Sequence, residues 1–134
     1  MTYGKLKTLA SALLVGDNKL PKEDESIKAL LEMAYIQLVD ECQVLNLQTE
    51  DKSVLVQRIS RGDFVVRKPD LPESDNDELD VDEVLAPVVA SLIASYVSEK
   101  KTQLHQARAD KGIRSYNAKV DELIETYAVK AGAQ

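Results

Sequence analysis

The chain has 134 residues, a formal net charge of −6, and a composition that is 44% hydrophobic and 30% charged. That length suits one domain with its own core, and that composition excludes a disordered chain. The acidic balance excludes general nucleic-acid binding, which runs on neutralising phosphates with Lys and Arg.

Tryptophan is absent and there are only five Tyr and one Phe, so Leu, Val, Ile and Ala must build the core. No apolar run approaches the roughly 20 residues needed to span a bilayer, and no membrane partner is expected. At the N-terminus, lysines precede an apolar stretch in MTYGKLKTLASALLVGDNK. Lys7 and Thr8 interrupt it, and no A-x-A-like site follows Leu14 or Val15, so export is not expected. Cys42 stands alone; it can form no internal disulfide, which fits a reducing cytoplasm.

In chain order, Leu6, Leu9, Ala10, Leu13 and Leu14 carry the i, i+3, i+4, i+7, i+8 spacing of a short amphipathic helix. Gly16-Asp17-Asn18 closes it, with Gly placed to cap its end. A second helix is expected from about Asp24 to Leu47, striped by Ile27, Leu30, Leu31, Ala34, Leu38, Cys42 and Leu45. Glu23, Asp24 and Glu25 crowd its start, where the helix dipole favours carboxylates.

The period of 3.6 is then lost. SVLVQRI and FVVRK are short and β-branched and flank the turn SRGD, which predicts a β-hairpin or extended arm around residues 53–68. The other reading of its first half is a short helix capped by Thr49. Arg61-Gly62-Asp63 spells an adhesion tripeptide, but a polar turn accounts for it.

Eight carboxylates and no basic residue lie between Asp70 and Glu83. From about Asp82 an apolar helix follows, with Val84, Leu85, Val88, Val89, Leu92, Ile93, Tyr96 and Val97 on one face, continued by Leu104 and Ala107. Pro87 fits its first turn, where a missing N–H costs nothing. Beyond Gly112 a second stripe comprises Ile113, Tyr116, Val120, Leu123, Ile124 and Tyr127. The sequence does not decide whether Gly112 ends one helix or weakens a longer one.

The expected fold is therefore all-α, a small bundle of three to four helices with a short β-hairpin or extended arm. It forms a single domain over 1–134, with the arm and acidic linker over 48–82 and a C-terminal helical segment over 112–134.

No catalytic constellation is expected. A calcium loop would need ligands at alternate positions and a Gly at the turn, but Leu79 and Val84 stand where ligands belong. The acids Asp75, Asp77, Glu78, Asp80 and Asp82 read instead as a solvated linker whose last members favour the next helix N-terminus. His105 has no Cys or Asp at ligand spacing and reads as a surface histidine, while Cys42 reads as a small core residue. G-x-S-x-G, C-x-x-C and a Gly-rich phosphate loop are all missing. No enzyme, cofactor or metal is expected. Arg58, Arg61, Arg67 and Lys68 form a basic cluster beside the acids, which suits either a solvated hairpin or contact with the acids of a neighbouring copy.

The order SIKALLEMAYIQLVDECQVLNL, RISRGDFVVRKPDLP, DNDELDVDEVLAPVVASLIASYVSEKK and QARADKGIRSYNAKVDELIETY resembles the head–tail connector (adaptor, or head-completion) proteins of tailed bacteriophages, over residues 24 to 127. The resemblance implies a virion protein of the neck, present in the host cytoplasm during assembly. It implies a homo-oligomeric ring, dodecameric in that family, bound to the portal protein and carrying tail or stopper proteins. DNA would pass through such a ring without sequence-specific contact, and carboxylates facing the lumen would keep it from sticking. Ile113, Tyr116, Val120, Leu123 and Tyr127 would then be the portal or subunit interface, with packing inside the same subunit as the plainer account. Outside that resemblance, the alternative is an acidic helical interaction protein, such as a DNA-mimic inhibitor or a small regulatory adaptor.

Overall fold

The computed structural model describes residues 1–44, 48–49, 58–59 and 65–132. Four helices dominate: α1 Tyr3–Leu13, α2 Asp24–Glu41, α3 Ala86–Val97 and α4 Thr102–Gly132. The two-residue strands β1 Gln48–Thr49, β2 Arg58–Ile59 and β3 Val65–Val66 pair antiparallel in the order β1-β3-β2. Most of the arm expected over 53–68 lies outside the described residues.

Helix α1 starts because Thr2 is extended and its hydroxyl accepts from the Lys5 N–H, satisfying a donor the first turn leaves open. It ends at a turn where Gly16 takes φ +77°, a conformation that costs other residues and not glycine. Helix α2 buries Ile27, Leu31, Ala34, Tyr35, Leu38 and Val39. It stops at Glu41, six residues before the Leu47 that periodicity predicts. Cys42 is extended, and Gln43 and Val44 after it are buried without being helical. The reason lies across the core. Asn117 donates to the Glu41 carbonyl at 2.9 Å and accepts from the Gln43 N–H at 2.8 Å, so α4 supplies the bonds that further helix would have made.

Helix α3 is apolar all round, and Ala86 and every residue from Val88 to Ser95 are buried. Such a helix must be enclosed, and α1, α2 and α4 all pack on it. A 3₁₀ turn, Glu83–Leu85, leads into it, and Pro87 falls in its first turn as expected.

The apolar face predicted to continue through Leu104 and Ala107 does not. The chain breaks at Ser98, and Val84 and Leu104 are exposed. Ser98 is extended, and its hydroxyl accepts from the Lys101 N–H at 2.9 Å, so the break both stops α3 and prepares α4. Helix α4 then runs unbroken through Gly112. His105, Ala109, Ile113, Tyr116 and Val120, spaced by three or four, form its buried stripe against the core.

Candidate functional site

The acidic linker is the part of the molecule where charged groups converge, and it is built rather than loose. Leu79, Val81 and Leu85 are buried, so the segment crosses the body as a strap nailed down by apolar side chains. Its backbone clamps the start of α1: Tyr3 N–H donates to the Asp77 carbonyl and Gly4 N–H to the Asp75 carbonyl, both at 2.9 Å. In return Leu79 N–H donates to the Met1 carbonyl at 2.9 Å. Gly4 suits this close approach, since an added Cβ would lie 3.2 Å from the Asp75 carbonyl oxygen, tighter than ordinary contact.

The strap's carboxylates are then committed one by one. Asp75 pairs with Lys7 at 2.7 Å. Asp77 accepts from the Glu73 and Ser74 N–H groups at 2.8 and 3.0 Å, and the Ser74 contact leads in holding its carboxyl below the usual range. Glu78 pairs with the Met1 ammonium at 2.9 Å, and Glu83 pairs with the same group. Tyr116 donates its hydroxyl to Asp82.

Asp80 has the most complete set. Both guanidinium nitrogens of Arg67 reach it, at 2.7 and 3.0 Å, and the Asp70 N–H adds a third donor at 2.9 Å. Burial pushes this carboxyl up, but the three donors outweigh burial and its net displacement is downward. Asp75 and Glu78 are exposed, in keeping with a solvated linker, yet Asp75, Asp77, Glu78, Asp80 and Asp82 each also meet a donor within the folded chain and act as latches.

Two members of the basic cluster likewise find partners within the chain. Arg67 is spent on Asp80, and Lys68 reaches Glu32 of α2 at 2.7 Å, so both close contacts within the chain rather than with a neighbour. The side chains of Arg58 and Arg61 lie outside the described residues. Beside the strap, Asp24 accepts from the Tyr3 hydroxyl at 2.8 Å and pairs with Lys28 at 3.2 Å. The Tyr3 contact is first among the causes that hold its carboxyl low.

At the opposite end, Asp17 joins two elements. Its carboxylate accepts from the Ser98 hydroxyl at 2.5 Å and from the Glu99 and Lys100 N–H groups at 2.9 and 3.2 Å. These donors, led by Ser98, depress its carboxyl strongly. The turn after α1 therefore pins the break between α3 and α4. Sequence reasoning placed Asp17 only in a turn; the Asp-Asn pair after Gly16 was the available signal.

Among the described residues, several apolar side chains lie outside the core. Met33 and Ile36 of α2 are 51% and 47% exposed and lie with Gln37, Asp40 and Tyr96 around a shallow apolar depression. A groove of about 520 Å³ opens where the turn after α1 meets α2, with Leu14, Val15 and Leu20 in its wall and Lys7, Lys19 and Lys22 at its rim. On α4, Leu123 is 60% exposed.

Of the expected docking stripe, Ile113, Tyr116 and Val120 are buried in the chain's own core, at 4%, 8% and 1% exposure. They cannot also present a free docking face. Leu123 is free of that core, and the Tyr127 side chain lies outside the described residues.

His105 was expected at the surface and is instead 1% exposed, with no hydrogen-bond partner for either ring nitrogen. Burial lowers its pKa, Arg108 and Lys101 push the same way, and Asp17 opposes them. Among the described residues, no group of three His, Cys, Asp or Glu is arranged to hold a metal ion, and no helix is long and apolar enough to cross a membrane.

No protein-family model, no curated protein and no solved structure matches this chain.

Proposed function

We propose that the chain is a non-enzymatic virion protein, a head–tail connector that forms a ring on the portal of a tailed phage. Such a ring extends the DNA channel and carries the tail or stopper proteins. The observation that carries this reading is the long α4. Among the described residues its buried stripe reaches Val120 and Leu123 beyond it is 60% exposed, while the helix continues to Gly132, so about 18 Å of helix lies beyond Val120. A lone helical end of that length is marginal in water and gains stability from a surface to pack on. Protruding elements of this kind are what a ring uses to join subunits.

The arm over 53–68 belongs to this proposal as a hairpin reaching a neighbour through Arg58 and Arg61. Exposed Asp75 and Glu78 on the strap supply a negative face past which a duplex moves without sticking. The DNA-mimic alternative needs carboxylates displayed over a surface. Asp77, Asp80 and Asp82 are turned to donors within the fold, so that reading gains nothing.

The test is native mass spectrometry and electron microscopy of the chain, alone and co-expressed with the portal protein of the same genome. A closed ring stacked coaxially on the portal is the expected result. A chain that stays monomeric and leaves the portal unoccupied overturns the proposal.

A further inference from the structure

We infer that the outer face of α2 pairs with the same face of a second copy of this chain, antiparallel and about a twofold axis at Met33. The inference goes beyond the ring reading, whose contacts lie on α4 and the arm.

Helix α2 carries two stripes. Ile27, Leu31, Ala34 and Leu38 face the core. On the other side Ser26, Ala29, Met33, Ile36 and Asp40 follow one another at intervals of three, four, three and four, and none of them is buried. That alternation is the seam along which one helix packs on another. Apolar side chains exposed side by side, as Ala29, Met33 and Ile36 are, mark an interaction surface.

Two shallow depressions lie along the seam and meet at Met33. The first has Lys19, Ala29, Leu30 and Val97 in its wall, and the second Ile36, Gln37, Asp40 and Tyr96. Both open on the side of α2 that adjoins α3. Beside the first, the Asn18 amide donates to the Val97 carbonyl at 3.1 Å. Beside the second, the Tyr96 hydroxyl donates to Gln37 at 2.6 Å.

The two depressions complement each other. A twofold axis crossing α2 at Met33 reverses the helix direction and keeps the α3 side on the same side. It therefore lays the first depression of one copy over the second depression of the other. Ile36 stands three residues beyond Met33 and Ala29 four before it, so the large side chain of one copy enters the space that the small one leaves on the other. Lys19, exposed at the first depression, then meets the acidic end of the second copy's α2, where Asp40 lines the second depression and Glu41 ends the helix. Glu41 lies on the same side, since burial raises the pKa of the Tyr96 hydroxyl and the Glu41 carboxylate adds to that rise. Opposite charges at the two ends fix the direction, because a parallel pairing would set Lys19 against Lys19 and Glu41 against Glu41. The contact is isologous and closes at two copies.

Sedimentation velocity of the full chain over a concentration series tests this. The wild type should dimerise. Met33 is 51% exposed, so Met33→Glu leaves the core alone while it sets two carboxylates together at the axis, and that variant should stay monomeric. Lys19→Glu and Glu41→Lys, each checked for folding by circular dichroism, should each weaken the dimer about tenfold, because either reversal acts at both ends of the pair. An equimolar mixture of these two variants restores opposite charges at both ends of the mixed pair and should dimerise as the wild type does. The inference is overturned if the wild type is monomeric throughout the series, if Met33→Glu associates as the wild type does, or if the mixture stays dissociated. Rings that survive Met33→Glu would leave the connector reading standing and remove only this contact.

Discussion

Replacing Gly112 by Ala should destabilise the protein, against the usual rule for helices. In an open helix interior the change to Ala stabilises by about 1 kcal/mol, because Gly loses more backbone entropy on folding. Gly112 is where α4 crosses α3, and a Cβ there would lie 2.5 Å from one Val88 methyl carbon. Val88 is 6% exposed and sits inside α3, and a β-branched residue in a helix holds one strongly preferred rotamer. The methyl cannot swing away cheaply, so the helices must part or the valine must leave its rotamer. Overpacking of this kind costs about 1 to 3 kcal/mol. Net of propensity, Gly112→Ala should cost up to about 2 kcal/mol, read from urea midpoints at constant slope. The decisive measurement is the same substitution on a Val88→Ala background. With the methyl gone, propensity alone remains, and Gly112→Ala should turn stabilising by about 1 kcal/mol. The reasoning is refuted if Gly112→Ala stabilises the wild type, or if its effect is the same on both backgrounds.

Asp80→Ala should destabilise by about 1 to 3 kcal/mol in chemical melts, since it removes a bidentate Arg67 contact and strands the Asp70 N–H. Because the folded carboxyl is held low, its contribution is present above the ordinary carboxylate range and is lost as pH falls through the lower folded value. His105→Leu should stabilise by about 1 kcal/mol at neutral pH, as two unpartnered ring nitrogens leave the core. The wild type should weaken as pH drops through about 6.5, because the unfolded chain then takes up a proton that the buried ring resists; thermal melts between pH 7 and 5 should show that slope shrinking in the variant. Asp17→Ala should speed amide exchange at Glu99 and Lys100 more than in the middle of α3, since it cuts the donors joining the α1 turn to the α3–α4 break. An equal rise in exchange at Glu99 and Lys100 and in the middle of α3 would count against a local pin.

The helices were legible wherever one face of a helix alone is buried. Ile27, Leu31, Ala34 and Leu38 announce α2 by their spacing, and the structure buries all four. The same method overran the end of that helix, because the signal that stops it is Asn117, more than seventy residues away, bonding Glu41 and Gln43. Periodicity also failed in α3. A helix buried on every side has no stripe to read, so its apolar run merged with Leu104, and the polar break at Ser98–Lys101 was passed over. His105 was read as exposed from its polar neighbours. Yet it stands four residues before Ala109 and eight before Ile113, on the stripe that α4 buries. Helical register was the better guide there, and flanking polarity was misleading.

The acids show why composition is a weak guide to what a charged segment does. A run of eight carboxylates in fourteen residues repels itself and by itself predicts a solvated tail. Leu79 and Val81 interrupt the run and Leu85 follows it, and their burial holds the backbone across the body. Once the chain is held there, Asp75, Asp77, Glu78, Asp80, Asp82 and Glu83 fall within reach of donors, and the repulsion is offset by pairs with Lys7, Arg67 and the Met1 ammonium. Charge therefore did not decide the path of this segment; three aliphatic side chains did. The charges then determine what else the path can hold, because the strap closes over the start of α1 and holds Arg67 on Asp80. Among the described residues, the apolar side chains that the core leaves exposed include Val15 beside the groove after α1, Met33 and Ile36 on α2, and Leu123 on α4.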